Sequence, residues 1–148
     1  MQPGAGMRVD PSEFNELTGQ ILGAAIEVHR ALGAGLLESI YTSCLHFELS
    51  ARNLRFVAQR AVPIVYKGMT VDARYRVDLI VEDRIVVEVK SVEALSSVHE
   101  SQLLTYLALT ECPAGLLINF NVRRLMDGVK RMLNPRAGSS RAGKCQIE

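Results

Sequence analysis

The sequence contains no tryptophan, and aromatic residues make up only 5% of its 148 residues, so its core has to be built mainly from aliphatic side chains. It also lacks an apolar run of membrane-spanning length. The first ten residues, M-Q-P-G-A-G-M-R-V-D, contain no hydrophobic segment of a signal peptide. We therefore expect a protein of the cytoplasm that does not bind a membrane.

Cysteine is also scarce, and the three cysteines do not have the pattern of two common kinds of cysteine site. Cys44, Cys112 and Cys145 are odd in number and widely spaced, which does not fit a disulfide framework or a structural zinc site. The sequence predicts reduced, structurally passive thiols.

The sequence has almost no excess of either charge, because the formal net charge is only +1. The net charge is nevertheless unevenly distributed along the chain. From Arg123 to the C-terminus seven Lys and Arg residues oppose two acids, a net charge of +5, so residues 1–122 carry −4. A basic end suits contact with a polyanion, and a solvated tail that keeps the protein soluble is an equally common reason for it.

The order of the apolar patterns predicts one α/β domain with a mixed central sheet flanked by helices. Residues 1–11 are expected to be a disordered N-terminus, residues 12–134 a single domain, and residues 135–148 a flexible basic tail. Helical spacing is found at about 15–33, 36–51, 98–112 and 123–133. The second helix is predicted to turn Leu37, Ile40, Cys44 and Leu45 inward, and the third, with a capping box at Ser97–Glu100, to bury Leu103, Leu104 and Leu107.

The segment from Arg74 to Ser91 has the pattern of a β-hairpin with three ionisable residues in its apolar strands. Those residues are Asp78, Glu88 and Lys90. A charge buried in such strands costs several kcal/mol unless it is paired or bound to a metal. Because the two strands are apolar on both faces, we expect the hairpin to be covered on both sides, as in the centre of an α/β sheet.

The turn of this hairpin decides whether the two acids meet. If residues 82–84 form a three-residue turn, Val81 lies opposite Ile85 and Asp78 lies opposite Glu88. A two-residue turn would place the two carboxylates on different faces, since side chains alternate along a strand. A metal site at this position therefore requires an odd loop or a bulge.

Two converging carboxylates are hard oxygen ligands of the kind that Mg²⁺ prefers, with water and phosphate completing its coordination. Asp78 and Glu88 fit this demand, and the main-chain carbonyl of Val89 can add a ligand. Lys90 beside the metal could hold the attacking water or stabilise charge that develops on a phosphate. The chemistry that this pattern indicates is hydrolysis of a phosphodiester. The structural alternative, a surface hairpin with a Glu/Lys ladder, is less compatible with the apolar surroundings.

The third predicted helix adds a polar stripe, His99, Gln102 and Tyr106, on an otherwise apolar helix. Its spacing indicates a helix that borders a polar cleft, and a stripe that merely faces solvent is the alternative, above all for His99.

Asp78, Glu88-Val89-Lys90 and the later Gln102-x-x-x-Tyr106 together resemble the PD-(D/E)XK nuclease superfamily, in particular its RecB-like exonuclease branch. The segment G-L-L-E-S-I-Y, residues 35–41, resembles the signature of the bacterial GxxExxY family within that superfamily. The resemblance continues through residues 66–68 and 115–120 and covers roughly residues 12–134.

The resemblance implies a restriction-endonuclease-like core and a Mg²⁺-dependent nuclease, with Mn²⁺ as a substitute ion and DNA as the expected nucleic-acid partner. It makes Asp78 and Glu88 metal ligands and Lys90 the catalytic lysine. Glu38 would be a helix-borne acid that completes the site, and Gln102 and Tyr106 would line it. The alternative function is an inactive nucleic-acid- or protein-binding module on the nuclease fold. The oligomeric state is not predicted by these patterns.

Overall fold

The structure, a computed structural model, describes residues 11–135 and 144–145, with side chains from Phe14 onward. The helices are α1 (Pro11–Leu32), α2 (Glu38–Ala51) and α3 (Ser97–Thr110). The strands are β1 (Phe56–Ala61), β2 (Ile64–Tyr66), β3 (Met69–Asp72), β4 (Arg76–Val81), β5 (Ile85–Lys90), β6 (Ala114–Asn119) and β7 (Val129–Leu133). Most of the predicted N-terminus and tail lies outside the described residues, so their predicted disorder stays a prediction.

Five of the strands form one mixed sheet in the order β1-β4-β5-β6-β7. Only β5 and β6 are parallel, and α3 connects them, as a crossover between parallel strands requires. The other neighbours are antiparallel. β2 and β3 form a separate two-stranded hairpin between β1 and β4. The predicted α/β fold with a mixed sheet is confirmed.

Helices cover both faces of the central hairpin, as the sequence predicts. One core contains the α1 and α2 residues Ile21 and Leu45 with Leu79 and Val87 of the sheet. The other core joins Ile80 and Val86 to Leu103 and Leu107 of α3. The apolar character of both faces of β4 and β5 therefore results from their central position.

The turn between β4 and β5 has the odd length that the metal hypothesis requires. Glu82 and Asp83 both have φ of +53°, and the N–H of Arg84 donates to the carbonyl of Val81. Val81 nevertheless pairs with Ile85, which leaves Arg84 as an additional residue in the turn. The predicted register, with Leu79 opposite Val87, is confirmed.

The predicted last helix, residues 123–133, is wrong. A short 3-10 turn, Leu125–Gly128, leads instead into β7, which pairs with β6 along the edge of the sheet. Helical spacing of the apolar residues suggested a helix, but every residue of β6 is buried and its free edge needs a hydrogen-bonding partner. Gly128 lies so close to the main chain of β6 that a Cβ at this position would clash with the main-chain oxygen of Asn119.

Two predicted inward faces are also corrected. Leu37 of the segment before α2 is 73% exposed and Ile40 is exposed, whereas Tyr41, Leu45 and Leu49 are the buried residues of α2. The helix is turned so that its tyrosine, rather than its first aliphatic residues, enters the core. On α3 Leu104 is exposed, while Leu103 and Leu107 are buried as predicted.

The N-terminus of α3 is capped one residue earlier than predicted. Ser96, not Ser97, is the N-cap and forms a capping box with His99. The N–H of Ser96 donates to Nδ1 of His99, so a histidine takes the place that the sequence assigned to Glu100. Glu100 instead forms an ion pair with Lys130 of β7.

The prediction that all cysteines are reduced is wrong for two of them, because Cys112 and Cys145 form a disulfide, while Cys44 is free. The N–H of Cys145 also donates to the carbonyl of Asp83 in the β4–β5 turn, at 2.7 Å. Disulfides occur mainly in oxidising compartments, and the cytoplasmic location stays a prediction. No helix within residues 11–135 is long and apolar enough to cross a membrane.

Tyr41 connects the two ends of the loop between α1 and α2. Its hydroxyl donates to the carbonyl of Gly33 at 2.5 Å and accepts the N–H of Leu36 at 3.1 Å, and its ring stacks on Phe120 at 4.5 Å. The loop turns at Gly33 and Gly35, which have φ of +71° and +98°. The buried tyrosine therefore holds the glycine-containing loop that leads directly into Glu38.

We expect Tyr41→Phe to keep the stacked ring and to lose both hydroxyl hydrogen bonds. Since a net hydrogen bond contributes about 1 kcal/mol and an unpaired buried group costs more, the free energy of unfolding should fall by about 1–3 kcal/mol. Urea unfolding measures this change. Tyr66→Phe is the matched control, because the Tyr66 ring is exposed and the variant should unfold like the wild type. Equal stability of the two variants would contradict the role given to the Tyr41 hydroxyl.

Candidate active site

The two predicted ligands meet where β4 and β5 stop pairing. Counted outward from the turn, the ladder of paired residues ends at Leu79 and Val87, and the next residues are Asp78 and Glu88. Beyond it the N–H of Asp78 donates to Oε1 of Glu88 at 3.0 Å, and the N–H of Val89 donates to Oδ2 of Asp78 at 2.8 Å. Each carboxylate thus accepts a main-chain N–H. If the ladder continued, a main-chain carbonyl would be the acceptor instead. The predicted convergence of Asp78 and Glu88 is confirmed.

Burial makes this carboxylate pair electrostatically unfavourable. Glu88 is only 3% exposed. Loss of solvent, and next the negative charge of Asp78, raise the pKa of Glu88 to about 8, against the opposing effects of the Asp78 N–H and of Lys90. The pair therefore holds a proton readily and would also be stabilised by a bound cation.

Lys90 is connected to α3 through a short hydrogen-bond chain. Its Nζ donates to Oε1 of Gln102 at 3.2 Å, and Nε2 of Gln102 donates to the hydroxyl of Tyr106 at 3.2 Å. Burial, and next the charge of Glu88, raise the pKa of Tyr106. The structure therefore brings Lys90, Gln102 and Tyr106 together beside the carboxylate pair.

His99, the third member of the predicted polar stripe, does not border this cluster. Its ring caps the first turn of α3, where Nδ1 accepts the N–H of Ser96. Two residues of the predicted stripe, Gln102 and Tyr106, therefore border the cleft. The third, His99, caps the helix.

Glu38 approaches the site from the opposite face of the sheet. Its Oε1 accepts the N–H of Ser91 at 3.4 Å, directly after Lys90, and the Ser91 hydroxyl donates to the carbonyl of Leu36 at 2.6 Å. Among the hydrogen bonds of the described residues none joins Glu38 to Asp78 or Glu88. The start of α2 is therefore fixed to the end of β5, with an exposed carboxylate next to the cluster.

The donor atoms present fit a hard divalent cation. Asp78 and Glu88 supply carboxylate oxygens from two adjacent strands, and Mg²⁺ is usually bound by one or two carboxylates with waters and substrate phosphates. Within residues 14–135 and 144–145 no group of three or more His, Cys, Asp or Glu side chains is arranged to hold a metal. The site therefore offers an open two-carboxylate platform rather than an all-protein cage.

Asn119 is a supporting residue that the sequence reasoning did not identify. It is 1% exposed at the end of β6, where its Oδ1 accepts the N–H groups of Val92 and Asn121 and its Nδ2 donates to the carbonyl of Val92. These bonds fix the chain just beyond Lys90 and Ser91. A polar residue that ends an apolar strand at the same edge as the charged residues was the available signal.

His46 of α2 is a second unpredicted neighbour. Its ring stacks on Phe56 of β1 at 4.9 Å, and its Nε2 is buried without a hydrogen-bond partner among the described residues. Burial lowers the pKa of His46, and the negative charge of Asp78 opposes this effect. The histidine thus lies within electrostatic range of the carboxylate pair, and helical periodicity alone could not indicate which strand it would pack on.

Comparison with known proteins assigns the family. No curated protein and no solved structure matches the chain. The family model for the PD-(D/E)XK nuclease superfamily matches residues 15–132, a range that begins in α1 and ends in β7 and includes every residue of the carboxylate and lysine cluster. The chain therefore belongs to the PD-(D/E)XK nuclease superfamily.

Proposed function

We propose that the protein is a Mg²⁺-dependent nuclease that hydrolyses phosphodiester bonds in DNA. Family membership supports a nuclease-type function. The observation that carries the proposal is the pair of the half-buried Asp78 and the buried Glu88, which lies next to a lysine held by Gln102. Two hard ligands and a cationic side chain at one edge of a sheet suit the binding of a metal and a phosphate together.

In this proposal Asp78 and Glu88 hold Mg²⁺, or Mn²⁺ as a substitute, and the carbonyl of Val89 adds a ligand. A bound ion would supply a water of lowered pKa and would polarise the phosphate. Lys90 orients the attacking water and stabilises the negative charge that develops on the phosphate oxygens. The hydrogen bond from Lys90 to Gln102 supports this role, because it fixes the direction of the ammonium group.

Gln102 and Tyr106 line the site in this proposal, and Glu38 completes it from α2. The chain of hydrogen bonds from Lys90 to Tyr106 supports the first role. The contact of Glu38 with Ser91 supports the second, since it places an acid beside the end of β5.

Within the superfamily we propose that the chain belongs to the GxxExxY family of the RecB-like branch. Three residues of that signature have a physical reason to occur together here. Gly35 adopts a positive φ, Glu38 begins α2 at the site, and the Tyr41 hydroxyl bridges the loop between them.

A nucleic-acid- or protein-binding module without activity is the second candidate. It is favoured by the metal-binding side chains present, since no group of three or more His, Cys, Asp or Glu side chains among the described residues is arranged to hold a metal. Binding of DNA that survives EDTA, without cleavage in Mg²⁺ or Mn²⁺, would support this candidate. A truncation that tests the basic tail has to begin after Pro135, because Val129–Leu133 is part of the sheet.

Lys90→Ala should abolish metal-dependent cleavage while the protein remains folded. Removing a group that stabilises charge in the transition state typically lowers kcat by about 100- to 1000-fold. Cleavage of labelled single-stranded, duplex and structured DNA, and of RNA of the same sequence, is measured with Mg²⁺ and with Mn²⁺. Lys130→Ala is the matched control, because Lys130 is an exposed lysine of β7 whose partner is Glu100.

The nuclease proposal is wrong if the wild type cleaves none of these substrates with either ion. It is also wrong if Lys90→Ala cleaves as fast as Lys130→Ala does.

Glu88 gives a second test, based on the stability of the metal-free protein. Because its pKa is near 8 in the folded state and about 4.5 when unfolded, the folded state binds the extra proton between these values. The contribution of Glu88 to the free energy of unfolding, measured in EDTA, should therefore be largest below pH 4.5. It should fall as the pH rises towards 8. Glu88→Gln imitates the protonated carboxyl and should remove this loss, which is on the order of a few kcal/mol at about 1.4 kcal/mol per pKa unit.

Thermal unfolding at pH 5 and pH 8.5 measures this difference. At pH 8.5 the addition of Mg²⁺ should raise the Tm of the wild type but not of Glu88→Gln. At a concentration 100 times the Kd, the free energy of unfolding of the wild type should increase by about 2.7 kcal/mol. A wild-type Tm that responds to neither Mg²⁺ nor Mn²⁺ would show that the carboxylate pair is only a structural ion cluster.

A further inference from the structure

The β2–β3 hairpin extends from the end of the sheet that carries the candidate site. At its base Ala61 pairs with Arg76, and the N–H of Val62 donates to the carbonyl of Tyr75 at 2.8 Å. Asp78 is only two residues beyond Arg76 on β4, about 7 Å at the rise of an extended strand. Any ligand that extends out of the site on this side therefore meets the hairpin.

The base of the hairpin is fixed against the site itself. Val62 is 4% exposed and belongs to the same core as Val77 and Tyr106. Tyr106 is hydrogen-bonded to Gln102, and both Tyr75 and Glu88 contribute to its electrostatic environment. The base of the hairpin is therefore packed against the cluster.

This hairpin exposes aromatic rings together with positive charge. Tyr66 is 59% exposed near its tip and Tyr75 is 46% exposed at its base, in a protein whose aromatic content is only 5%. Residues 59–76 contain four Lys and Arg residues and a single acid, Asp72, so the net charge is +3. Lys67 lies over the Tyr66 ring at 5.4 Å, whereas Asp72 is neutralised by Arg74.

Exposed rings beside cations favour one kind of occupant. Base stacking on aromatic side chains requires unpaired bases, while positive side chains follow the phosphates. In a duplex the bases are already stacked on each other, so the rings would have no partner. A protein partner could use the exposed Val65, Met69 and Val71, but it would not explain the net charge of +3 next to a site for phosphate chemistry.

We propose that the β2–β3 hairpin and the start of β4 hold a single-stranded segment of nucleic acid next to the candidate site. Tyr66 and Tyr75 stack on bases, and Lys67 and Arg76 contact phosphates. This inference rests on the proposed nuclease function for the identity of the ligand, and it assigns the substrate as single-stranded at the point where it leaves the site.

Binding is measured in EDTA, so that it does not depend on cleavage. Fluorescence anisotropy follows a labelled single-stranded DNA oligonucleotide and the matching duplex with the full-length protein. Wild type should bind the single strand more tightly than the duplex. Tyr66→Ala and Tyr75→Ala should each weaken single-strand binding roughly 5- to 100-fold, as expected for the loss of one stacked base.

Three variants separate stacking from other effects. Tyr66→Phe keeps the ring and should bind like the wild type. Phe47→Ala removes a ring that is 72% exposed on α2, away from the hairpin, and should also bind like the wild type. Lys67→Glu should weaken binding and reduce the dependence of log K on log salt concentration by at least about 0.7, the contribution of one phosphate contact on a single strand.

Several results would overturn the inference. These are equal or tighter binding of the duplex, Tyr→Ala variants that bind as well as Phe47→Ala, or a loss of binding in Tyr66→Phe equal to that in Tyr66→Ala. If the Tyr75→Ala protein does not fold, Tyr66→Ala and Lys67→Glu, both at exposed positions near the tip, decide the question. A protein that binds no oligonucleotide but associates through the hairpin with another protein also refutes it.

The two proposals fail in different ways. Single-strand binding that depends on Tyr66 in a protein that never cleaves leaves the inference intact and refutes the nuclease function. Cleavage that is lost in Lys90→Ala but unaffected by the hairpin variants does the reverse.

Discussion

The close contact between the buried Glu88 and the half-buried Asp78 is the interaction on which the rest of the site depends. Each accepts a main-chain N–H of the opposite strand, so the pair both separates β4 from β5 and replaces the hydrogen bonds that the separation removes. Burial and the charge of Asp78 raise the pKa of Glu88, so a proton or a cation relieves the repulsion between the two groups. The replacement of the lost ladder hydrogen bonds and the need for a proton or a cation thus both arise from this carboxylate pair.

The part of this arrangement that could be predicted follows from the period of two in a strand. Because side chains alternate, the length of one turn fixes which residues meet, and the sequence was sufficient to relate residues 82–84 to the contact between Asp78 and Glu88. The convergence of Lys90 and Gln102 was accessible for a similar reason, since a capped helix follows the strand directly. Both contacts could be predicted because they follow from local periodicity and from the order of elements along the chain.

The elements that could not be predicted depend on contacts between distant segments. Residues 129–133 have helical spacing, yet they form a strand because the buried edge of β6 needs a partner. Likewise the rotation of α2 is set by Tyr41, whose hydroxyl and ring have partners in the preceding loop and in Phe120, so that Leu37 remains exposed. No pattern within either segment contains these partners. The same limit applies to Asn119 and His46, which take their roles from neighbours far away in sequence.

The anchoring of Cys145 has a consequence for the placement of residues 144–145 relative to the β2–β3 hairpin. Cys145 is attached to Cys112 and to the carbonyl of Asp83, at the opposite end of β4 from the carboxylate pair. Asp78 and Asp83 are five residues apart, about 17 Å along an extended strand. Lys144 and Cys145 therefore lie towards one end of β4 and the β2–β3 hairpin lies towards the other, so these two parts of the chain do not form one common surface.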